Sequence, residues 1–145
     1  MSSSRPRDRG FTLIELMIVV AIMSVLALIA IPKFAQLIDR SKEAGTLGHL
    51  AHTRSAILLY YMENEQVYPQ NFAGLVQSDK KYINGTNLPL YTGDHPDSLT
   101  VDDIPDTNMT ADTGNWAYVS GGIHKGFFYI QCTHRDLKDD VWSVH

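Results

Sequence analysis

The 145-residue chain contains a single cysteine, Cys132, and this scarcity limits how the fold can be stabilised. One thiol cannot form a disulfide within the chain, so the fold has to hold without such a cross-link. No second cysteine stands in a CxxC spacing, which also disfavours a redox or zinc role for Cys132.

The chain has no excess of basic residues, and its formal net charge is -4. A nucleic-acid partner would call for a basic patch, so we expect none. The charge is divided unevenly, because Arg5, Arg7 and Arg9 stand close together near the start with only Asp8 against them. A basic start before an acidic remainder is typical of a chain oriented across a membrane, with arginine on the cytoplasmic side.

Motifs for catalysis are also missing. No glycine-rich phosphate loop follows a strand and no nucleophile motif occurs, so we expect no enzyme, no catalytic residue and no cofactor. Of the six histidines only His49 and His52 share a helix face, and no third ligand accompanies them. Surface histidines in water are therefore favoured over a metal site. The six are His49, His52, His95, His124, His134 and His145.

Residues 94–112 are rich in aspartate. Within them oxygen-bearing side chains alternate as the ligands do in some calcium loops, at Asp106, Asn108, Thr110 and Asp112. The glycine and closing glutamate of an EF-hand are missing. A solvated acidic loop is the favoured interpretation, and calcium binding is the alternative.

Charged residues are almost absent from the run 11–31, whose polar side chains are Thr12, Glu15 and Ser24. Its 21 positions suffice to span a hydrocarbon core, which takes about 20 helical residues. The apolar core of a cleaved secretory signal is shorter, and a buried helix of a soluble protein usually keeps a polar face. A simple membrane anchor fits the length but leaves Glu15 unexplained.

Glu15 is the informative residue of this run, because a carboxylate in a membrane helix is costly and usually faces a functional partner. No lysine or arginine lies within reach along the helix. A cut between Gly10 and Phe11 would create an amine four residues before Glu15, on the same helix face. The amine of a neighbouring chain would serve equally well. Without cleavage, the alternative is a protonated, hydrogen-bonded glutamate near the membrane interface.

At this point the sequence resembles a known family. Arg-Asp-Arg-Gly10 followed by Phe-Thr-Leu-Ile-Glu-Leu-Met17 is similar to the prepilin signature of type IV pilins and type II secretion pseudopilins. The resemblance implies that a prepilin peptidase cuts after Gly10 and N-methylates Phe11. It also implies that Glu15 pairs with the amine of an adjacent subunit during assembly.

The apolar run ends at Pro32, where the missing hydrogen bond of proline predicts a helix kink. Apolar residues then recur every three or four positions to about residue 65, which predicts an amphipathic continuation. Together the two parts predict one long, kinked helix of about 55 residues. The residues of the predicted apolar face are Phe34, Leu37, Ile38, Ala44, Leu47, Ala51, Leu58, Tyr61 and Met62.

The remaining residues predict a small globular part. The helix should stop near Tyr68-Pro69, and Asn71 could cap a short helix over 72–77. Residues 84–115 are predicted as loop. Runs at 116–120 and 127–133, separated by glycines, predict a hairpin, and 141–144 could add a third strand. Such a sheet needs an apolar surface, which the amphipathic half of the helix would supply.

The predicted elements indicate an α+β fold, and the resemblance implies the type IV pilin kind, with a long kinked N-terminal helix, half of it transmembrane, packed on a small C-terminal antiparallel sheet. The expected divisions are a removed leader (1–10), a transmembrane and assembly helix (11–32) and a globular head (33–145). Many pilins close a C-terminal loop with a disulfide, which Cys132 alone cannot do. Major pseudopilins lack that disulfide and use calcium, so this alternative stays open.

The function that the resemblance implies is that of a structural subunit of a type IV pilus-like filament. The expected partners are identical subunits in a homo-polymer, the prepilin peptidase, the assembly machinery and the bacterial inner membrane. The precursor would be a single-pass protein of that membrane, and the product an extracellular or periplasmic filament. The alternatives are a major pseudopilin of a type II secretion system and, more distantly, a membrane-tethered binding domain.

Overall fold

The computed structural model describes residues 10–76, 82–85, 88–106 and 110–145. Its elements are helix α1 (Leu13–Glu63), short helix α2 (Ala73–Val76), strands β1 (Val101–Ile104), β2 (Trp116–Val119) and β3 (Phe128–Ile130), and a 3-10 helix at Trp142–Val144. The chain divides into two compact units, the first ending at Ile38 and the second formed by Asp39–His145. The predicted α+β class is confirmed. Residues 1–9 of the predicted leader lie outside the described residues.

Helix α1 has 51 residues, close to the predicted length. Among the described residues it is the one helix long and apolar enough, by length and composition, to cross a membrane. Every side chain from Phe11 to Ile29 is exposed. The hydroxyl of Ser24 donates to the carbonyl of Val20 at 2.7 Å, which satisfies this polar group within the helix. From Phe11 to Ile29 the first unit therefore presents an apolar surface interrupted chiefly by Glu15.

In the second unit, α1 buries a face whose members are four, three and four residues apart, namely Thr46, Leu50, Thr53 and Ile57. The sequence predicted a different packed face, and that prediction is wrong. Most of the residues expected to cover the sheet are exposed, while Leu47 and Tyr61 are half-buried. The exposed ones are Phe34, Leu37, Ile38, Ala44, Ala51, Leu58 and Met62.

Hydrogen bonding explains why a threonine occupies the packed face. The Thr46 hydroxyl donates to the Tyr91 carbonyl at 3.1 Å and accepts from the Tyr91 N–H at 2.9 Å. A buried hydroxyl is tolerated when its partners are supplied in this way. An apolar periodicity alone cannot identify such a position.

The sheet has the order β1-β2-β3. Strands β2 and β3 are antiparallel, with Trp116 opposite Ile130, so the predicted hairpin is confirmed. Strand β1 is parallel to β2, with Val101 beside Trp116. It lies in a segment that the sequence predicted as loop. The two aspartates at its centre, Asp102 and Asp103, interrupt the apolar pattern expected of a strand. The sheet is thus mixed, and the antiparallel description holds only for the β2–β3 pair.

The predicted third strand at 141–144 is wrong. Val141 forms an isolated bridge with Arg135, and the chain then turns into the 3-10 helix. The N–H of Trp142 donates to the His134 carbonyl, and that of Ser143 to the Cys132 carbonyl, both at 3.1 Å. These bonds fix the C-terminal turn on the segment after β3 and leave no continuous ladder for a strand.

Both faces of strands β2 and β3 are covered. Trp116 and Phe128 stack at a centroid distance of 5.1 Å and share a core with Leu50 of α1. Alternate residues, Ala117 and Val119, lie in a second cluster on the other face, as the period of a strand requires. A short strand that is buried on both faces consists almost entirely of apolar residues. Such a run made β2 predictable from the sequence.

The connection after α1 follows the predicted pattern. The backbone takes positive φ at Glu65 and Gln66, so the helix has ended before Pro69 as expected. The Pro69 carbonyl accepts a hydrogen bond from the Tyr118 hydroxyl at 2.7 Å. The Asn71 side chain accepts from the Gly74 N–H at 2.9 Å, which confirms the predicted cap of the short helix. Gln77, its predicted last residue, lies outside the described residues.

Candidate functional site

The predicted processing site lies before the helix. Gly10 and Phe11 are exposed and not helical, and α1 begins at Leu13. No atom of the described residues lies within 4 Å of a Cβ built on Gly10, so the described fold does not require glycine at this position. A bond in an exposed, non-helical segment is accessible to a peptidase.

Thr12 and Glu15 form a reciprocal pair at the start of α1. The Glu15 carboxylate accepts hydrogen bonds from the Thr12 N–H at 2.9 Å and the Thr12 hydroxyl at 2.8 Å. The Glu15 N–H donates to the Thr12 hydroxyl at 3.3 Å. This is a capping box, in which two helix-terminal donors are satisfied at once. The spacing Thr-x-x-Glu could have identified it in the sequence, but the interpretation of Glu15 considered only amine partners.

Pro32, the predicted kink, lies inside α1. Proline has no N–H, so the carbonyl of Leu28, four residues earlier, receives no helical hydrogen bond from it. A kink at this position stays a prediction.

Exposed apolar side chains continue past the segment of membrane-spanning length. In the first unit Phe34, Leu37 and Ile38 are each more than half exposed, and in the second unit Leu58 and Met62 are as well. Most of the residues that the sequence placed on the packed face are therefore exposed, each within its own unit.

Side chains on the second part of α1 also make polar contacts with the rest of the unit. The Arg54 Nε–H donates to the Phe128 carbonyl at 2.9 Å, and burial lowers the pKa of this guanidinium. The Tyr91 hydroxyl donates to the Asp39 carboxylate at 2.9 Å, with the Lys42 ammonium 4.5 Å from the centre of the Tyr91 ring. These contacts orient the sheet and its loops on the helix.

Two of the histidines expected to be solvated lie together with the cysteine. His95 Nε2 is 2.9 Å from Asp112 Oδ1, and His134 Nδ1 is 3.5 Å from the same oxygen. The Cys132 thiol lies 3.6 Å from His134 Nδ1. One ligand atom from each of the four residues falls within 4.8 Å of the others. The sequence predicted no metal ligands because these residues come from separate loops, although the Cys-x-His spacing was a usable signal.

The other metal interpretations gain little support. His52 is exposed and His49 half-buried on α1. In the run of alternating oxygen-bearing side chains considered for calcium, Asp106 Oδ1 lies 3.4 Å from His124 Nδ1. Asp112, at the other end of the run, contacts His95. Its two ends thus contact different histidines, and Asn108 lies outside the described residues.

Comparison with known proteins adds a family description to this geometry. Residues 5–31 match the family model described as "Prokaryotic N-terminal methylation motif". The matched segment contains the predicted cleavage position and Glu15. No solved structure matches the chain significantly.

Several curated proteins are similar to the chain. The type IV major pilin protein PilA of Myxococcus xanthus (strain DK1622) is 46% identical over 66 residues, covering 46% of this chain and 30% of the relative. The type IV major fimbrial protein FimA of Dichelobacter nodosus is 37% identical over 91 residues, covering 61% and 56%. The type IV major pilin protein PilE1 of Neisseria gonorrhoeae is 36% identical over 85 residues, covering 59% and 39%. The matches thus span between 30% and 56% of the length of these relatives.

Proposed function

We propose that this chain is a member of the type IV pilin family and a structural subunit that polymerises into a type IV pilus-like filament. The observation that carries the proposal is the first part of α1. There the side chains from Phe11 to Ile29 are all exposed, and nearly all of them are apolar. A helix that is apolar all round requires either lipid or other helices around it.

The two environments correspond to two stages. The precursor inserts the first part of α1 into the inner membrane as a single-pass protein, where a helix satisfies nearly all of its backbone groups internally. In the filament, the same surface packs against the helices of neighbouring subunits. One surface that repeatedly contacts a different surface of the next copy generates an open helical polymer. The role is structural rather than catalytic.

We assign the chain three functional segments. Residues 1–10 are the leader removed by the prepilin peptidase, 11–32 form the transmembrane and assembly segment, and 33–145 form the head. Exposed Gly10 and Phe11 suit cleavage between them, and methylation of the new Phe11 amine would follow. Pro32 is the position where α1 bends or loosens as subunits pack.

Glu15 directs assembly in this proposal. Its carboxylate is the one charged group in the described part of the apolar segment, and a charge in such surroundings needs a partner. The positively charged Phe11 amine of an adjacent subunit is that partner. The capping box with Thr12 supports the same assignment, because it holds the carboxylate at the start of the helix, near the new terminus.

The pilus is favoured over the alternative filament of a type II secretion system. The similar proteins carry the names of pilins and fimbrial proteins. Imaging surface filaments and identifying their protein by mass spectrometry separates the two. Long surface filaments made of this chain support a pilus, and their absence in piliated cells favours the pseudopilin.

The experiment that tests processing is the intact mass of the chain from its native membrane. We expect a species that begins at Phe11 and carries a methyl group on its amine. The same chain expressed without a prepilin peptidase should keep residues 1–10. Gly10→Val should also keep the leader, and because an added side chain meets no described atom of the fold, that result would reflect peptidase recognition rather than misfolding. A mature chain that starts elsewhere, or retains its leader beside an active peptidase, contradicts the proposal.

A further inference from the structure

We propose that His95, Asp112, Cys132 and His134 form a binding site for one zinc ion. The site belongs to the second unit, and its occupation does not depend on whether the chain polymerises. Two imidazoles, a thiol and a carboxylate are the donor types that zinc takes in four-coordinate protein sites. Sulfur and nitrogen donors favour zinc over calcium and magnesium, which prefer oxygen.

The distances between donor atoms suit a tetrahedral ion. Zinc bonds of about 2.0 to 2.1 Å to nitrogen or oxygen and about 2.3 Å to the single sulfur imply donor–donor separations of about 3.3 to 3.6 Å. His134 Nδ1 lies 3.5 Å from Asp112 Oδ1 and 3.6 Å from Cys132 Sγ. His95 Nε2 lies at 2.9 Å from the same Asp112 oxygen, so this pair has to open by a few tenths of an ångström.

The backbone holds two of the loops in register. Gly114 N–H donates to the Gln131 carbonyl, and Gln131 N–H donates to the Asn115 carbonyl, both at 2.9 Å. These bonds extend the β2–β3 pairing beyond the strands and bring the loop of Asp112 beside the segment 132–134. The Thr133 N–H then donates to Asp112 Oδ1 at 3.0 Å, which fixes the carboxylate.

The third loop is fixed independently. Leu90 and Ser98 exchange two backbone hydrogen bonds, at 2.9 and 3.2 Å, and close the loop that carries His95. The Ser98 hydroxyl donates to the Asn115 side chain at 2.7 Å. At Gly114 the chain passes so close to His95 that an added Cβ would lie 2.6 Å from the histidine side chain. The backbone hydrogen bonds and the Ser98–Asn115 contact therefore position the three ligand-bearing loops without the ligand side chains.

Burial and access are both suitable. Cys132 is fully buried, while the side chains of His134 and Asp112 are 43% and 37% exposed, so an ion can enter from the histidine side. The thiol has to lose its proton on binding, as zinc–thiolate ligation requires.

The second acidic and histidine cluster of the described residues does not offer an equal site. It consists of Asp136, Asp140 and His145. Asp136 Oδ1 already accepts hydrogen bonds from the backbone N–H groups of Lys138 and Asp140, at 2.8 and 2.9 Å. These bonds shape a turn and account for the buried carboxylate. This cluster also has no sulfur donor.

Zinc would join the three loops at one point. The chain has a single cysteine and cannot do this with an intramolecular disulfide. A bound ion that selects the native state stabilises it. We therefore expect zinc to raise the melting temperature of the head.

The test uses the full-length chain in detergent, stripped of metal by a chelator and titrated with Zn²⁺. We expect one zinc per chain by native mass spectrometry. Co²⁺ used as a probe should show the visible bands of a tetrahedral site and a cobalt–thiolate charge-transfer band. Cys132→Ser should abolish the thiolate band, and His134→Gln and Asp112→Asn should each weaken zinc binding by about tenfold or more.

His52→Ala is the matched control, since His52 is exposed on α1 and outside the cluster. It should bind zinc as the parent does. Asp112→Asn and His134→Gln keep the shape of partly exposed side chains, so they report binding even if Cys132→Ser unfolds. No zinc binding by the parent overturns the proposal. Unchanged zinc affinity in both Asp112→Asn and His134→Gln also overturns it. Zinc binding that is lost only with Asp136→Asn does the same.

Discussion

At the scale of the residue, Glu15 has two roles that have to be separated. In the structure its carboxylate accepts the hydrogen bonds of Thr12 and caps α1. In the proposed filament it pairs with the amine of another subunit. A capping box works with glutamate or glutamine, whereas an ion pair requires the charge. Substitutions can therefore distinguish the two roles.

The first prediction concerns Glu15→Ala and Glu15→Gln. Both should be inserted and cleaved as well as the parent, because removing an acidic group from an apolar helix does not oppose membrane insertion. Both should fail to polymerise, since breaking a buried charge pair costs about 3 to 5 kcal/mol at each added subunit. Sheared filaments are measured against membrane-bound monomer for each variant.

Thr12→Ala is the matched control, because it removes the hydroxyl of the cap and keeps the charge. Its cost is about 0.5 to 2 kcal/mol of helix stability, and filaments should still form. Normal filament yield from Glu15→Gln would show that the cap rather than the charge matters. Normal yield from Glu15→Ala would rule out any directing role for this carboxylate.

At the scale of the element, the turn 136–140 after β3 depends on one carboxylate. Asp136 is buried, and burial alone would raise its pKa. The N–H groups of Asp140 and Lys138, together with His145, outweigh that effect and lower the pKa. The turn also positions Leu137, whose N–H donates to Glu43 of α1 at 3.3 Å. The turn thus couples a buried charge to the contact with the helix.

The second prediction is a loss of stability in acid that originates at Asp136. A carboxylate with a folded-state pKa below its unfolded value of about 3.9 stabilises the fold above that pH. The contribution disappears as the pH falls through the folded-state pKa. We expect Asp136→Asn to lower the melting temperature at neutral pH. The further fall of the melting temperature between about pH 5 and pH 2 should be smaller in this variant than in the parent.

The comparison for this turn is Asp139→Asn. Asp139 is exposed and has positive φ, which asparagine tolerates. Its melting curve should follow that of the parent at every pH. An equally reduced fall in both variants would show that the acid response is not specific to Asp136.

At the scale of the whole molecule, the chain has two units that suit different surroundings. The first has an apolar surface suited to lipid or to other helices. The second has its own core, in which Leu50 and Ile57 of α1 pack with Trp116 and Phe128 of the sheet. The boundary between the units falls after Ile38. The second unit therefore holds the contacts that a stable fold requires.

The third prediction is that residues 39–145 alone form a soluble protein that unfolds cooperatively. They keep the face with Thr46 and Leu50 and the hydrogen bond between Asp39 and Tyr91. Circular dichroism during heating measures the transition. A shorter chain of residues 51–145 loses Thr46 and Leu50, and it should show no cooperative transition. Absence of a transition in the longer chain would contradict the division into a membrane segment and an independent head.

Local sequence determined the features that depend on near neighbours. The apolar run, the end of α1 before Pro69, the Asn71 cap and the β2–β3 hairpin were all predictable from spacing and turn residues. The family signature at Gly10 to Met17 was equally local. Each of these features is set by residues a few positions apart, whose periods and caps can be read directly from the chain.

Tertiary structure alone decided what depends on distant partners. Strand β1 exists because Val101 pairs with Trp116, despite the acidic centre of the strand. The packed face of α1 includes Thr46 because Tyr91 supplies its hydrogen bonds. The 3-10 helix replaces a strand because the segment after β3 accepts its N–H groups. Ligands that converge from three loops, such as His95 and Cys132, have no common period, because only the folded chain brings them together.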